Sequence, residues 1–459
     1  MTSGHPTRML GTACLALALA GCASYHAEPL PSGPDLAQSP VLNISPGKLR
    51  VPGLKPHPVD AARGLDVTDV VILAVVNNPQ LKAKRLQAGV AQAQLLQAGL
   101  LPNPQLSAGF VHPTSGPPPL TNGHTLGLTQ ALESLVTRGA AKAGARAREQ
   151  QVNLEILWQE WQVAQRARQL FVQVRSQDRL ARILKTQVNL SSQAYRRDER
   201  ALRQGNLTLS AVSADLVNLT DADTRLRKLQ RQRNQTWHQL DALLGLKPGV
   251  HPRLRGSPDI HAFTRAQFRQ ALQALPQRRP DLLALRAGYH SQEQAVRKAI
   301  LAQFPALSVG ISGGEDNSAV HSAGLSVTLS LPLFNHNQGQ IAIQRATRAA
   351  LHQAYQARLD QAVNKAHELY RATRIMRRQL TRLDKRLPVL KQTTDAARQS
   401  FQQGNMSAGT YLSLRSSLLA KRAEAVRLRA SLQSSQAALE TLLGMTLNHP
   451  ASDAEGNRS

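Results

Sequence analysis

Apolar and polar residues alternate strictly in three short stretches. Leu106, Ala108 and Phe110 are interleaved with Gln105, Ser107 and Gly109. Leu307, Val309 and Ile311 alternate with Ser308, Gly310 and Ser312. Ala323, Leu325, Val327, Leu329 and Leu331 alternate with Gly324, Ser326, Thr328 and Ser330. Period two predicts strands with one apolar and one polar face. A run of about nine residues matches a membrane-spanning strand. The same alternation also fits soluble hairpins packed on helices. Segments 113–123 and 313–318, rich in Gly with Pro, Asn or Asp, read as the turns between strand pairs.

Elsewhere the period lengthens. No proline interrupts Arg138 to Gln204, 67 residues that reach about 100 Å as a helix. Apolar residues recur there at coiled-coil spacing, as at Leu157, Trp161, Ala164, Phe171, Val174, Ala181, Leu184 and Val188. A return helix carries Val212, Leu216, Leu219, Leu226, Leu229, Leu240 and Leu243. Leu418, Leu428, Leu439 and Leu442 take the matching places further on. The seam is narrow and the remainder is Gln, Arg and Ser. Such helices suit water on both sides, as in a tube wall or a solvated coiled coil.

The chain repeats itself. Asn77-Asn78-Pro79-Gln80-Leu81 answers Arg278-Arg279-Pro280-Asp281-Leu282, and Pro104-Gln105-Leu106 answers Pro305-Ala306-Leu307. Gly139 answers Gly339, Gln204-Gly205-Asn206-Leu207 answers Gln403-Gly404-Asn405-Met406, and Leu243-Leu244-Gly245-Leu246 answers Leu442-Leu443-Gly444-Met445. The offset drifts only from 201 to 199, which marks a duplicated unit. Each copy, 66–250 and 251–446, predicts a short helix (about 66–100 and 280–303), two strands, a very long helix, a Gly-Asn turn and a return helix. The glycines supply the left-handed backbone that ends a helix, and Thr208 or Ser407 is placed to cap the next. Four strands cannot close a barrel, and open edges are not tolerated in lipid. If these strands span a membrane, several chains must pool them, and three chains would supply twelve.

The N-terminus reads as an export signal over 1–21. Arg8 is its positive charge, and Leu10 to Ala20 is apolar but too short to cross a bilayer. Leu19-Ala20-Gly21-Cys22 matches a bacterial lipobox, so Cys22 is the expected lipidation site. Ala23 after it favours the outer membrane. Cys14 leaves with the signal, so the mature chain has one cysteine and no internal disulfide. Segment 22–65 carries Pro29, Pro31, Pro34, Pro40, Pro46, Pro52, Pro56 and Pro58 and is expected to be an extended tether, either disordered or lying on the folded body. The tail 447–459 is expected to be disordered.

Composition alters this picture in one respect. Aromatics at 3% argue against a large globular core, but the formal net charge of +27 raises nucleic acid as a partner. The Lys and Arg residues are scattered among Gln and Ala with no basic run and no nucleic-acid motif, so nucleic acid is set aside. An anionic membrane surface or an acidic medium are the other readings.

Signal, lipobox, duplicated unit, strand pairs and Gly-marked turns together resemble the TolC-like outer-membrane efflux proteins over roughly 66–446. The stretch Leu331-Pro332-Leu333-Phe334-Asn335-His336-Asn337-Gln338-Gly339-Gln340-Ile341 is similar to the strand-to-helix junction of the CzcC branch, which serves divalent-cation efflux. The resemblance implies a mainly α fold with a small β part. It implies a homotrimer with a twelve-stranded outer-membrane barrel continued by a periplasmic helical barrel. The tips, Gln204, Gly205, Asn206, Leu207 and Thr208 with Gln403, Gly404, Asn405, Met406 and Ser407, would dock a periplasmic adaptor and through it an inner-membrane pump of the RND type. Pro332, Phe334, Asn335, Asn337 and Gly339 would form the barrel-to-helix junction. Two features depart from the family: the basic charge, and Pro388, where the first copy has Asn189. A proline there predicts a helix kink near Leu387.

No catalytic motif is legible, and no cofactor is expected. His336 is the most tempting metal ligand but reads better as a junction residue. The chain is expected to be a passive duct, not an enzyme. A drug duct of the same family, or a coiled-coil lipoprotein without a pore, are the rival readings.

Overall fold

The computed structural model describes residues 25–40, 62–116, 119–258 and 262–445. The expected signal 1–21, Cys22, most of the proline tether and the tail 447–459 lie outside the described residues. Two compact units are distinguished, Met1–Leu36 and Ala37–Ser459. Residues 25–36 of the first are irregular and mostly exposed. All that follows concerns the second.

The first copy runs α1 (Val67–Asn77), α2 (Pro79–Gly99), β1 (Gln105–Val111), β2 (Gly123–Ala131), α3 (Glu133–Arg203) and α4 (Leu209–Leu243). The second runs α5 (Arg265–Gln273), α6 (Leu275–Arg278), α7 (Pro280–Leu301), β3 (Leu307–Glu315), β4 (His321–Leu329), α8 (Gln338–Gln402) and α9 (Ala408–Leu442). At 1.5 Å per residue α3 is about 106 Å long and α8 about 98 Å.

Three expectations need correction. The short helix expected over 66–100 is broken: Asn78 adopts φ −56°, ψ 120°, and its side chain accepts from Leu81 N to start α2, whereas α7 fills the range expected for the second copy and two further short helices, α5 and α6, precede it. A residue before proline avoids the helical region, so Asn78–Pro79 and Arg279–Pro280 both interrupt. The last strand is His321–Leu329 rather than 323–331, because the chain turns at Leu331-Pro332. Leu216, counted in the return-helix seam, is 46% exposed.

The strands form one antiparallel sheet in the order β1-β2-β3-β4. Its register carries apolar rows across all four strands, Leu106–Leu128–Ile311–Leu325 and Ala108–Leu126–Gly313–Ala323. The opposite face has the rows Gln105–Thr129–Gly310–Ser326 and Ser107–Gly127–Ser312–Gly324. This polar face is crowded: a Cβ at Gly310 would stand 2.7 Å from Ser326 Oγ, and one at Gly127 2.7 Å from Ser107 Oγ. Such crowding belongs to the concave side of a curved sheet.

The helices form a single layer. Near the strands, α2, α3, α7 and α8 lie side by side; toward the turns the order is α4, α3, α9, α8. Thus α2 and α4 stack along one edge, α7 and α9 in the middle, and α8 is the other edge. Apolar burial concentrates where the stacked helices abut. α1, apolar all round, packs on Phe171, Leu170, Trp237 and Leu240. α5 covers the equivalent place, with Phe268 stacked on Tyr370 at 4.1 Å between ring centroids.

Candidate functional site

The wall and its two ends are the candidate site. The sheet order matches the wall order, since α2 leads into β1, β2 into α3, α7 into β3 and β4 into α8. Both layers therefore end on the same two edges, unpartnered among the described residues. β1 and β4 expose unpaired backbone. The edge helices expose large apolar residues: Leu86 (76%) and Val90 (58%) on α2, Val217 (60%) on α4, Ile375 (51%) and Val389 (62%) on α8.

At the far end, the tips of both copies share one geometry. Gly205 has φ +75° and Gly404 φ +78°. Asn206 N donates to Ala201 O at 2.8 Å and Gly205 N to Leu202 O at 2.9 Å. Asn405 N to Ser400 O at 2.9 Å and Gly404 N to Phe401 O at 3.1 Å repeat the pattern. This is the paired hydrogen-bond closure of a left-handed helix end. Ser407 Oγ accepts from Thr410 N at 3.2 Å. Thr208 occupies the N-cap position but makes no capping bond, its hydroxyl lying 3.1 Å from Ser210 Oγ. Leu207 and Met406 complete the two exposed loops.

The strand-to-helix junction is held by short polar bonds. Asn337 sits at φ +61°, a conformation asparagine tolerates. Its Nδ2 donates to Ala299 O at 2.8 Å, tying the start of α8 to α7. Asn335 Oδ1 accepts from Asn337 N at 2.9 Å, and Gln338 Oε1 from His336 N at 2.7 Å. Phe334 is 92% exposed, and Pro332 lies in the same loop. A Cβ at Gly339 would meet nothing within 4 Å, so no space constraint requires glycine there. Pro388 lies inside an unbroken α8. Among the described residues no group of three His, Cys, Asp or Glu could hold a metal ion, and no helix is long and apolar enough to cross a membrane.

Two clusters escaped the sequence reading. Near the first tip, Asp198 of α3 and Asp215 of α4 bring two carboxyls together. Burial and then the neighbouring Asp198 push Asp215 up to about 6. Arg197, 2.6 Å from Asp198, holds Asp198 below its ordinary value against the desolvation that opposes it. At the joint of the second copy, Arg279 is 2% exposed. It bonds Asp281 at 2.8 Å, Arg358 reaches the same carboxylate at 2.7 Å, and Arg279 stacks 4.9 Å above the Trp158 ring of α3. Burial raises Asp281, but the two guanidiniums outweigh it and leave the carboxyl lowered. The first copy solves the same joint with neutral Asn78, whose Nδ2 donates to Leu243 O at 3.2 Å. The Asn-Pro/Arg-Pro correspondence was visible in the sequence, but not which partners each would find.

Residues 271–445 match the model of the family described as outer membrane efflux protein. No curated protein matches the chain. Solved structures share the fold. Those of CusC, described with transmembrane channel formation, are similar at TM-score 0.67 and 19% identity, covering 90% of this chain and 99% of theirs. VceC of Vibrio cholerae, an outer membrane protein, matches at 0.68 and 18%, covering 83% and 97%. The CmeC outer membrane channel of Campylobacter jejuni matches at 0.68 and 16%, covering 92% and 94%. The fold is thus that of the TolC-like channels, four strands per chain continued by a helical wall.

Proposed function

We propose that this chain is one subunit of a homotrimeric outer-membrane efflux duct, passive and gated at its tips. One observation carries the reading: a sheet and a helical wall that end on the same open edges. Four helices about 10 Å wide, closed on themselves, leave no bore, whereas twelve leave one about 28 Å across. Eight strands give a barrel filled by side chains; twelve leave room for water along the small polar face. Repetition of one edge-to-edge contact closes a ring. The apolar face then meets lipid. The family match over the second copy agrees.

Around this core the finer assignments follow. Cys22 carries lipid in the outer membrane, the two Gly-Asn tips dock a periplasmic adaptor joined to an inner-membrane pump, and no nucleic acid is bound. The Asn335 to Gly339 junction, similar to that of the CzcC branch, favours divalent cations as cargo over drugs. In planar bilayers the purified protein should conduct ions as a trimer; a monomer without conductance would refute the duct. A strain lacking the chain should gain sensitivity to divalent metals, and sensitivity to organic drugs alone would overturn the cargo.

A further inference from the structure

The net charge of the chain is concentrated in a belt. Cross-helix contacts set the level: Arg233 pairs with Asp178 at 2.7 Å, Arg429 with Asp384 at 3.1 Å and Arg168 with Glu440 at 3.0 Å. Those contacts bring windows 171–187, 224–240, 376–392 and 421–437 to one height. They hold nineteen Lys and Arg against three Asp and Glu, or +16 of the net +27. The windows span about 24 Å of wall. The crowding is felt within the chain, where burial and then Arg175, Arg429 and Arg182 hold Arg179 below its ordinary value.

Part of the belt lies on the two edges. On α4, the buried stripe Ala222, Leu226 and Leu229 faces α3. Lys228 and Arg231 lie on the opposite, exposed side. On α8, Leu380 and Leu383 pack toward Ala425 and Leu432 of α9, and Arg378, Arg382 and Lys385 lie opposite, all exposed. None of these five makes an ion pair among the described residues. If edges meet as the proposed duct requires, Lys228 and Arg231 of one copy come level with Arg382 and Lys385 of the next. Two rows of like charge would then face each other about one helix diameter apart.

Resting on the duct reading, we propose that each subunit seam is a binding site for a multivalent oxyanion of the phosphate class, bridged by Lys228 and Arg231 of one copy and Arg382 and Lys385 of its neighbour. Guanidinium groups pair bidentately with phosphate oxygens, and a polyvalent anion neutralises both rows at once. The site is incomplete in one chain.

The test uses the purified full chain in detergent, with trimer dissociation followed on heating. Pyrophosphate should raise the dissociation midpoint by ~3 °C or more over potassium chloride of equal ionic strength. The double variant Arg231→Gln/Arg382→Gln should lose that shift and dissociate later than the native chain in chloride alone, because repulsion is relieved. Arg422→Gln, in the belt but off the seam, should keep the shift. A trimer indifferent to pyrophosphate, or a shift that survives the double variant, overturns the site. An equal shift with citrate overturns its phosphate assignment in favour of carboxylates. A chain monomeric and non-conducting in every condition removes the ring itself, an outcome distinct from an insensitive trimer.

Discussion

Replacing Gly444 and Gly404 by alanine, one at a time, separates backbone strain from close packing. Both glycines end a helix, at φ +71° and φ +78°. Forcing an L-residue into that conformation costs about 1–2 kcal/mol. At Gly404 a Cβ meets nothing within 4 Å, so this is the whole effect. At Gly444 the Cβ would stand 2.8 Å from Arg278 Cβ and 3.3 Å from Arg278 C, where the end of α9 abuts the end of α6. Backbone and a buried layer containing Leu443 and Leu439 must move, which adds about 1–3 kcal/mol of overpacking. Gly444→Ala should therefore lose about 2–5 kcal/mol and Gly404→Ala about 1–2 kcal/mol. Urea unfolding followed by helical circular dichroism measures both. Gly139→Ala, inside α3 with open space around it, should gain about 0.5–1 kcal/mol as a control. Equal losses at 404 and 444 would refute the argument that the stacked joint requires close approach.

Other outcomes follow from the two clusters and the proline. Asp215 is raised in the folded chain, so the stability it contributes is present below its unfolded value and is lost as pH climbs through about 6. The α3–α4 tip should show larger amide protection factors, relative to intrinsic exchange at each pH, at pH 5 than at pH 7.5, and Asp215→Asn should flatten that difference; a tip equally protected at both pH values speaks against the raised carboxyl. Asp281→Asn leaves two guanidiniums at the joint without their carboxylate and should cost about 3–5 kcal/mol in the same urea assay, a loss under 1 kcal/mol being incompatible with a buried pair. If Pro388 bends α8 and eases opening of the tips, Pro388→Ala should lower the open probability in bilayers, and unchanged gating would dismiss the hinge.

The local rules were legible in the chain itself. Period-two runs marked three of the strands and one apolar face, the absence of proline marked the length of α3, and Gly205 and Gly404 marked the tips, because each depends on neighbours in sequence. The duplicated spacing marked Gly245 and Gly444 as equivalent. Their physical demand was hidden, since Asn77 and Arg278, which approach them, are more than 160 residues away in sequence. The stacking of α2 on α4 and of α7 on α9 was equally hidden, as was the exposure of Leu216, because a heptad stripe states which face is apolar and not which helix covers it. Arg279 looks in sequence like one more surface arginine of a basic chain; only the meeting of α3, α7 and α8 buries it between Asp281 and Trp158. The charge of +27 was countable from the outset, whereas its concentration in one belt and on two edges appears only when four distant windows are brought to one height.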